Sequence, residues 1–414
     1  MKAEFLTQYK IRLYYLLLGA AVTLPFFLKL TNVFVILLCI NWMTYRRVSI
    51  KSFAILLIPT FYLLHIMGVA YSVNLNQAFF ELEKKISFIV FPLIFASPDL
   101  LNKKQYKLIL NSFVSSCLIG SLLCLGYATN RFFLTGETTY FFYHDLSEII
   151  GMHAIYLAMY CCFSFFILVY YYEANVSNRG MVAKVTYLFV LMYLVVFIFL
   201  LSARIMIAAF IVITLMGLLI HGYRGKQLLK MLVIFLLVIS LFGSLIFFIP
   251  NNLERFKEAI NYKSQYTVDK QYGGRSTREL IWACGIDVIK ENILLGVGTG
   301  DAQDELQKCY KQDENKNWAL LYRPDFEYNA HSQYLQTFID LGVAGIFGLL
   351  MCLIAPLRIS LLNKDYLMTS FFILFSLGCI TESMLELNKG IVFFSFFSSF
   401  FIAQSFSSTE KTAN

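Results

Sequence analysis

Charged residues are scarce in this sequence. Aspartate, glutamate, lysine and arginine make up 14% of its 414 residues, whereas an ordinary soluble domain contains about 25%. Hydrophobic residues reach 58% and recur in long runs along most of the chain. These proportions exclude an ordinary soluble protein and predict an integral membrane protein, with helices mostly surrounded by lipid.

The small excess of positive charge does not indicate nucleic-acid binding. The formal net charge is +8, and we attribute it to basic residues that anchor cytoplasmic loops. We therefore expect the lipid bilayer, and no nucleic acid, as the surroundings of this chain.

Apolar runs near the length that crosses a bilayer, about 20 residues, predict twelve transmembrane helices. The predicted spans are Leu13–Leu30, Asn32–Tyr45, Phe53–Tyr71, Ile86–Ala96, Leu108–Ala128, His153–Tyr172, Val185–Leu201, Arg204–His221, Leu228–Pro250, Ser332–Pro356, Tyr366–Glu386 and Gly390–Ser405. We thus expect an all-α polytopic membrane protein with one large loop between helices 9 and 10. Residues 1–250 would hold helices 1–9, residues 251–330 the loop domain with amphipathic helices, and residues 331–414 helices 10–12 and a tail.

The placement of lysine and arginine predicts the orientation. With a cytoplasmic N-terminus, most basic residues outside the long loop fall in inside segments, as the positive-inside rule requires. Both termini would then be cytoplasmic and the long loop would lie on the opposite side. The first apolar run has no clear small-residue cleavage site, which favours an uncleaved span over a signal peptide.

The long loop contains two predicted helices. "STRELIWACGIDVIKEN" places apolar residues at helical spacing and predicts an amphipathic helix that lies on the membrane or caps the bundle. "LLGVGTGDAQDELQKCY" predicts a glycine turn, Asp301 as a helix N-cap, and a polar helix. Cys284 and Cys309 lie in this loop, where a disulfide is permitted, but the sequence leaves open whether they pair.

One arginine interrupts a long apolar run, in "FIFLLSARIMIAAFIV". The run from Val185 to Ile220 is too long for one helix and suits two. A tight turn at Ser202, with the Arg204 guanidinium reaching lipid headgroups, is one interpretation. Because the positive-inside rule disfavours arginine in an outer turn, we favour the alternative, an outward-facing anion site.

Two further arginines follow a glycine pair in "GGRSTRELIW". Arg275 and Arg278 could form a solvated basic turn, or they could bind phosphate, since a guanidinium matches two phosphate oxygens at once. The nearby "GVGTG" is not a nucleotide-binding loop, because it lacks both the dinucleotide fingerprint and the Walker lysine.

A histidine stands at the start of a predicted span, in "EYNAHSQYLQTFIDLGVAGIFGLL". His331 could cap or anchor the helix at the membrane surface. It could equally act as a general base, because a neutral imidazole accepts a proton from a hydroxyl near neutral pH. Gly342, Gly345 and Gly348 follow at three-residue intervals and predict a smooth strip for close packing of another helix.

Together these motifs resemble the O-antigen ligase and O-antigen polymerase superfamily of bacterial envelope glycosyltransferases. The order "SAR", then "RELIW" and "LLGVGTGD" in a large loop, then "NAHSQYLQTFIDLGVAG", carries the resemblance from Leu200 to Leu350. The predicted topology extends it over the whole chain. Two departures are "LSARIM", where a serine-arginine-glycine turn is common in the family, and Ser332, where asparagine is common.

The resemblance implies transfer of a glycan from undecaprenyl diphosphate to an acceptor hydroxyl on the periplasmic side of the bacterial inner membrane, without a metal or other cofactor. Arg204 and Arg278 look like the arginines that bind the diphosphate, with Arg275 as the alternative to Arg278. His331 looks like the histidine that activates the acceptor, in a single displacement with inversion at the anomeric carbon.

No residue in the sequence decides the class of acceptor. We lean towards lipid A-core, as in an O-antigen ligase, while a polysaccharide polymerase or a protein O-oligosaccharyltransferase would use the same donor chemistry. A lipid-linked glycan flippase or transporter is the alternative from another class. The absence of a visible repeat between the two halves weighs against it.

Several residues are candidates for secondary roles. Asp340, deeper in the span after His331, would satisfy a buried helix partner. Asp301 belongs to an acidic cluster that could bind a divalent ion, although a solvated helix face is the favoured interpretation. The remaining candidates are Gln333 and Tyr334 beside the base, and His153 and Tyr156 in "GMHAIYLAMY".

Overall fold

The computed structural model describes residues 2–44, 53–97, 100–172, 176–224, 275–312, 321 and 327–409, and these residues contain no β-strand. The helices are α1 (Lys2–Thr23), α2 (Leu28–Met43), α3 (Phe53–Val69), α4 (Leu75–Lys85), α5 (Ser87–Phe95), α6 (Lys103–Thr135), α7 (Tyr143–Ser147), α8 (Ala154–Tyr172), α9 (Met181–Leu200), α10 (Arg204–Arg224), α11 (Arg275–Glu291), α12 (Ala302–Gln312), α13 (Gln333–Leu362), α14 (Tyr366–Thr381) and α15 (Asn388–Thr409), with 3-10 turns at Thr139–Phe141 and Glu148–Ile150. The predicted all-α class is confirmed.

Four helices in the described part of the chain are long and apolar enough to cross a membrane, namely α6, α8, α9 and α13. This confirms a membrane protein. The total of twelve spans stays a prediction, and so do the loop topology and the three-part domain division. The ninth predicted span, Leu228–Pro250, lies outside the described residues, as do residues 251–274, 313–320 and 322–326 of the predicted loop domain.

Local sequence signals fix the ends of α6, the longest of these helices. Gln105 N–H donates to Asn102 Oδ1, and Asn102 N–H donates to Gln105 Oε1. This capping box satisfies two backbone N–H groups at the start of the helix. Gly136 ends the helix in the left-handed conformation, φ 75°, which glycine adopts without steric cost.

The chain forms two compact units. The first comprises Met1–Arg47, Pro98–Glu254 and Ser360–Gly378, and the second comprises Val48–Ser97, Arg255–Ile359 and Cys379–Asn414. In the first unit α6 packs against α1 and α8, and α8 packs against α9 and α10. The apolar run from Val185 to Ile220 divides into α9 and α10, as its length predicts.

Aromatic residues fill the interior of the second unit. The α15 helix packs along α5, with the ring centroids of Phe91 and Phe396 5.2 Å apart and those of Phe95 and Phe400 5.8 Å apart. Such edge-to-face pairs add to the stability of apolar burial.

The amphipathic helix predicted after the glycine pair is confirmed as α11. Its predicted apolar face is buried against α12, in a core that also includes Tyr328, Ala330 and Ile339. The members from α11 and α12 include Leu280, Ile281, Cys284, Val288, Ile289, Leu306 and Tyr310. Cys284 and Cys309 form a disulfide between these helices, with Cα atoms 6.2 Å apart, which answers the question that the sequence left open.

The predicted glycine strip on α13 is wrong in its first member. Gly342 breaks the helix, with φ 61° and ψ −151°. The loop before α12 fills the break: Val297 N–H donates to Ile339 O at 2.8 Å and Val343 N–H donates to Ile293 O at 3.0 Å. A side chain at Gly342 would collide with the Leu294 backbone, so glycine is required here for a close approach of backbone rather than of a helix. Of the three glycines, Gly348 does face another helix, α3.

Candidate functional site

The segment before His331 is anchored on α11. Trp282 donates its indole N–H to Ala330 O at 3.1 Å, and Tyr328 and Ala330 are buried in the core shared by α11 and α12. Arg278 lies one helical turn before Trp282, about 6 Å along the axis. The loop motif and the histidine motif therefore meet in the second unit.

His331 has an unusual backbone conformation. Its φ is 44°, in the left-handed region that residues with a Cβ rarely adopt. The His331 N–H donates to Asn329 Oδ1 at 2.9 Å and so supports the turn. The α13 helix begins two residues later, at Gln333. Strained positions of this kind concentrate at functional sites.

The His331 side chain is 22% exposed and reachable from outside the fold. Its Nδ1 has no hydrogen-bond partner among the described residues. The nearest carboxylate is that of Glu382, with Oε2 3.8 Å from Nδ1 and a side chain only 8% exposed.

Glu382 was not predicted from the sequence as a candidate site residue. It lies in the segment between α14 and α15, and its carbonyl accepts from Gln333 N at 3.1 Å. The only sequence signal was the presence of two glutamates in "TESMLELNKG", a short polar interval between two apolar runs. Nothing in that interval indicates which distant residue they face.

Arg278 also has an uncommitted polar atom. The residue is half-buried, and its Nε is buried without an acceptor within the described parts of the chain. A buried donor without a partner costs about 1–3 kcal/mol, so such groups call for a ligand or another functional reason. An anion beside α11 would satisfy this donor.

The other two candidate arginines lie at the starts of two different helices. Arg275 begins α11, but its side chain lies outside the described residues. Arg204 begins α10 in the first unit, directly after a turn in which Ser202 has φ 49°. The Arg204 side chain is half-buried, and its role stays a prediction.

The secondary candidates divide between the units. Gln333 is buried and tied to the fold, since Leu385 N–H donates to its Oε1 at 2.6 Å and its Nε2 donates to Thr337 at 3.0 Å. Tyr334 is half-buried beside it. His153 and Tyr156 belong to the first unit and to an aromatic cluster there, with the rings of His153 and His144 4.0 Å apart.

Asp301 is buried, so the solvated-face interpretation is wrong for this residue. It does precede α12 as predicted. Its carboxylate accepts from Val73 N at 2.6 Å and Asn74 N at 2.7 Å, directly before α4. The described residues contain no group of three histidine, cysteine or acidic side chains placed to hold a metal ion.

A buried ion network lies in the same unit. Lys85 Nζ is 2.8 Å from Glu81 Oε2 and 2.9 Å from Glu386 Oε2, and the Lys85 side chain is 1% exposed. Burial of Glu81 opposes its ionisation, but the ammonium groups of Lys85 and Lys84 outweigh burial and lower the pKa of Glu81 to about 2. Likewise, burial disfavours the Lys85 ammonium, but Glu386 and Glu81 raise its pKa.

The second unit contains both a candidate base, His331, and a candidate anion-binding group, Arg278. A reachable imidazole with a carboxylate behind it can take a proton from a hydroxyl. A guanidinium with an unused donor can stabilise negative charge that develops nearby. This combination suits the displacement of an anionic leaving group by a hydroxyl.

Comparison with known families agrees with this chemistry. Residues 188–350 match the family model described as O-Antigen ligase, a segment that contains Arg204, Arg278 and His331 but less than half of the chain. This confirms the resemblance to the O-antigen ligase and polymerase superfamily, whose members have glycosyltransferase-type activity. No curated protein sequence matches the chain.

Proposed function

We propose that this chain is a metal-independent, inverting glycosyltransferase that moves a glycan from undecaprenyl diphosphate to an acceptor hydroxyl. The acceptor class we favour is lipid A-core, which makes the chain an O-antigen ligase. The observation that carries the proposal is that the family-matched segment contains both His331, whose Nδ1 lies 3.8 Å from the buried Glu382 carboxylate, and Arg278, whose Nε has no hydrogen-bond partner among the described residues.

His331 is the general base in this scheme. It takes the proton of the acceptor hydroxyl as the hydroxyl oxygen bonds to the anomeric carbon of the donor sugar. The bond between that carbon and the diphosphate oxygen breaks, and the leaving group departs with the electron pair. Glu382, 3.8 Å from Nδ1, stabilises the imidazolium that forms and holds the ring in place.

The arginines act on the leaving group. Negative charge accumulates on the departing diphosphate, so donors fixed beside it stabilise the transition state more than the ground state. Arg278 supplies a guanidinium from α11. Arg204, at the start of α10, is proposed to supply a second, with Arg275 as the substitute for Arg278.

The proposed setting is the bacterial inner membrane. Both termini would be cytoplasmic and the site would face the periplasm, where the lipid-linked donor is presented. The lipid-linked glycan and the acceptor are the only partners that this scheme requires. No nucleotide sugar takes part.

Transfer by the purified full-length protein tests the proposal. The protein in lipid nanodiscs is incubated with undecaprenyl-diphosphate oligosaccharide and lipid A-core, and products are identified by mass spectrometry. We expect a glycosylated lipid A-core whose new linkage has the inverted anomeric configuration by NMR. A retained configuration, or a trapped glycosyl-enzyme, would contradict the single displacement.

Changing the acceptor distinguishes the alternatives. Elongated lipid-linked glycan in the absence of lipid A-core indicates a polymerase, and modified protein acceptor indicates a protein O-oligosaccharyltransferase. Movement of the donor across a vesicle membrane without any new covalent product indicates a flippase. In a deletion strain, loss of all capped lipid A-core with accumulation of long lipid-linked chains indicates a ligase, whereas a single repeat remaining on the core indicates a polymerase.

A further inference from the structure

A polar cavity of about 250 Å³ lies in the second unit. It far exceeds the roughly 10–15 Å³ that one water requires, and it is smaller than the roughly 300–1,000 Å³ of pockets for drug-sized ligands. Its size therefore suits a compact ligand. The proposed reaction does not otherwise use it.

Amides and a hydroxyl supply hydrogen-bonding groups on several sides of this cavity. They come from α4, from the segment around α12 and from the start of α13: Gln77, Thr299, Gln303, Asn329 and Gln336. These groups already make hydrogen bonds within the fold, as when Gln77 Nε2 donates to Glu81 Oε1 and Gln303 Nε2 donates to Tyr328 O. Each amide still has a second N–H donor and further acceptor capacity, so donors and acceptors remain for a ligand. A ligand that carries several hydroxyl groups presents the same mixture of donors and acceptors, so a sugar ring is the ligand class that fits.

The charges of the residues that line the cavity narrow the class of sugar that it can bind. Glu81, Asp340 and Glu386 contribute acidic side chains, and Lys84 contributes an ammonium. Lys84 is already held by Glu81 at 2.6 Å. Lys85, directly behind the lining, is likewise held by Glu81 and Glu386 at 2.8 and 2.9 Å. The lining therefore offers no uncommitted cation to a phosphate or a uronic acid, and the cavity accommodates an uncharged or amine-bearing sugar.

A metal cation is the weaker alternative occupant. Lys84 and Lys85 bind the two carboxylate oxygens of Glu81 at 2.6 and 2.8 Å. Within the described residues no group of three or more metal-type ligands was found. Both oxygens of Glu81 are thus already engaged by ammonium groups.

Two residues that line the cavity also hold the backbone turn at His331. Asn329 lines the cavity, and its Oδ1 accepts from His331 N at 2.9 Å. Gln336 also lines it, and its Oε1 accepts from Ala330 N at 3.1 Å. A sugar in the cavity therefore lies next to the turn that presents the proposed base.

We propose that this cavity is a subsite for one uncharged or amine-bearing sugar residue of a glycan substrate. The inference rests on the proposed transferase function for its role, but binding can be measured without transfer. The sugar belongs either to the donor glycan or to the acceptor, since both present hydroxyl groups beside His331.

Binding of small glycosides to the full-length protein tests the subsite. Saturation-transfer NMR is recorded with methyl glucoside, methyl N-acetylglucosaminide, methyl glucosaminide and methyl glucuronide. We expect signal from at least one of the first three and none from the glucuronide. Gln77→Met keeps the side-chain length but removes the amide, and should weaken that binding on the order of tenfold, as for one hydrogen bond.

Matched variants separate the subsite from general damage. Asn76→Met, at an exposed position on the same helix that does not line the cavity, should leave binding unchanged. Gln303→Met, on another element of the wall, should weaken binding like Gln77→Met. Absence of binding by all three non-acidic glycosides, or equal binding by wild type and both cavity variants, would overturn the subsite.

Kinetics then assign the sugar to a substrate. In the transfer assay, a raised donor KM in Gln77→Met identifies a donor subsite, and a raised acceptor KM identifies an acceptor subsite. His331→Asn should retain glycoside binding while losing transfer. Sugar binding without any transfer activity in the wild type would sustain the subsite and remove the proposed function.

Discussion

Two polar clusters in the second unit differ in how completely their groups are paired. The ammonium of Lys85 is held by carboxylates of Glu81 and Glu386 at 2.8 and 2.9 Å. In contrast, Nε of Arg278 and Nδ1 of His331 have no hydrogen-bond partner in the part of the chain that the structure describes. Buried polar groups are normally satisfied, so the first cluster completes a fold and the second is open to a ligand.

The contrast separates stability from activity. Breaking the paired cluster leaves a charge buried and uncompensated, which destabilises the folded state. Changing the unpaired groups removes no side-chain hydrogen bond among the described residues, so the fold should persist while the reaction suffers. Each variant below is chosen to test one side of that division.

The largest effect on stability is expected for Lys85→Met. Removing the ammonium leaves Glu81 and Glu386 facing each other without their shared partner, and loss of one member of a buried pair costs about 3–5 kcal/mol. Thermal unfolding of the purified protein measures this loss. Lys290→Met is the matched control, because its pair with Asp287 has a similar distance of 2.7 Å but Lys290 is 67% exposed; a surface pair contributes about 0–1 kcal/mol. Equal shifts in the two variants would contradict the distinction.

Loss of the disulfide should destabilise the protein by a comparable amount. The bridge closes a loop with a sequence separation of 25, for which chain entropy predicts about 3–4 kcal/mol. Because the bridge holds α11, Cys284→Ser should also reduce transfer. A mobility difference between reduced and non-reduced protein on a gel, absent in Cys284→Ser, checks the bond. Identical mobility of reduced and non-reduced wild type would show that Cys284 and Cys309 are not bonded.

Arg278→Lys should damage transfer without damaging the fold. An ammonium cannot reproduce the planar fork of a guanidinium, and a hydrogen bond to a charged group contributes about 2 kcal/mol, or roughly 30-fold in kcat/KM. Arg358→Lys, an exposed position in the same unit, should leave kcat/KM unchanged. A fall in melting temperature with full transfer would show that Arg278 stabilises the fold and does not bind the diphosphate.

A smaller effect is expected for Trp282→Phe. The change removes the hydrogen bond to Ala330 O at 3.1 Å and keeps an aromatic ring, so about 1 kcal/mol of stability should be lost. Transfer should fall slightly because the segment before His331 is less firmly held. Trp42→Phe is the control, since Nε1 of Trp42 has no hydrogen-bond partner among the described residues. A larger loss in the control would contradict the anchoring role.

The periodicity of the sequence was enough to predict α11. Leu280, Ile281 and Cys284 recur at the spacing of one helix face, and all three are buried. Apolar burial on one face leaves a pattern within a short window. The same pattern does not identify the partner surface, which includes α12 and Ile339 of α13.

The missed features depend on long-range contacts. Lys85 and Glu386 are 301 positions apart, and no local pattern indicates that two such charges will pair. Gly342 illustrates a second difficulty. Glycine at three-residue spacing fits both a packing strip and a broken helix, and the choice depends on whether the loop around Leu294 lies against it.

The central claim is that His331 performs chemistry and does not merely support the turn. His331→Asn is the sharpest variant, because asparagine tolerates the left-handed conformation of residue 331 but cannot act as a general base. Transfer from lipid-linked glycan to lipid A-core should fall by about 10²–10⁴-fold, with an unchanged melting temperature and unchanged glycoside binding. Full transfer by His331→Asn would contradict the account and leave His331 as a turn residue.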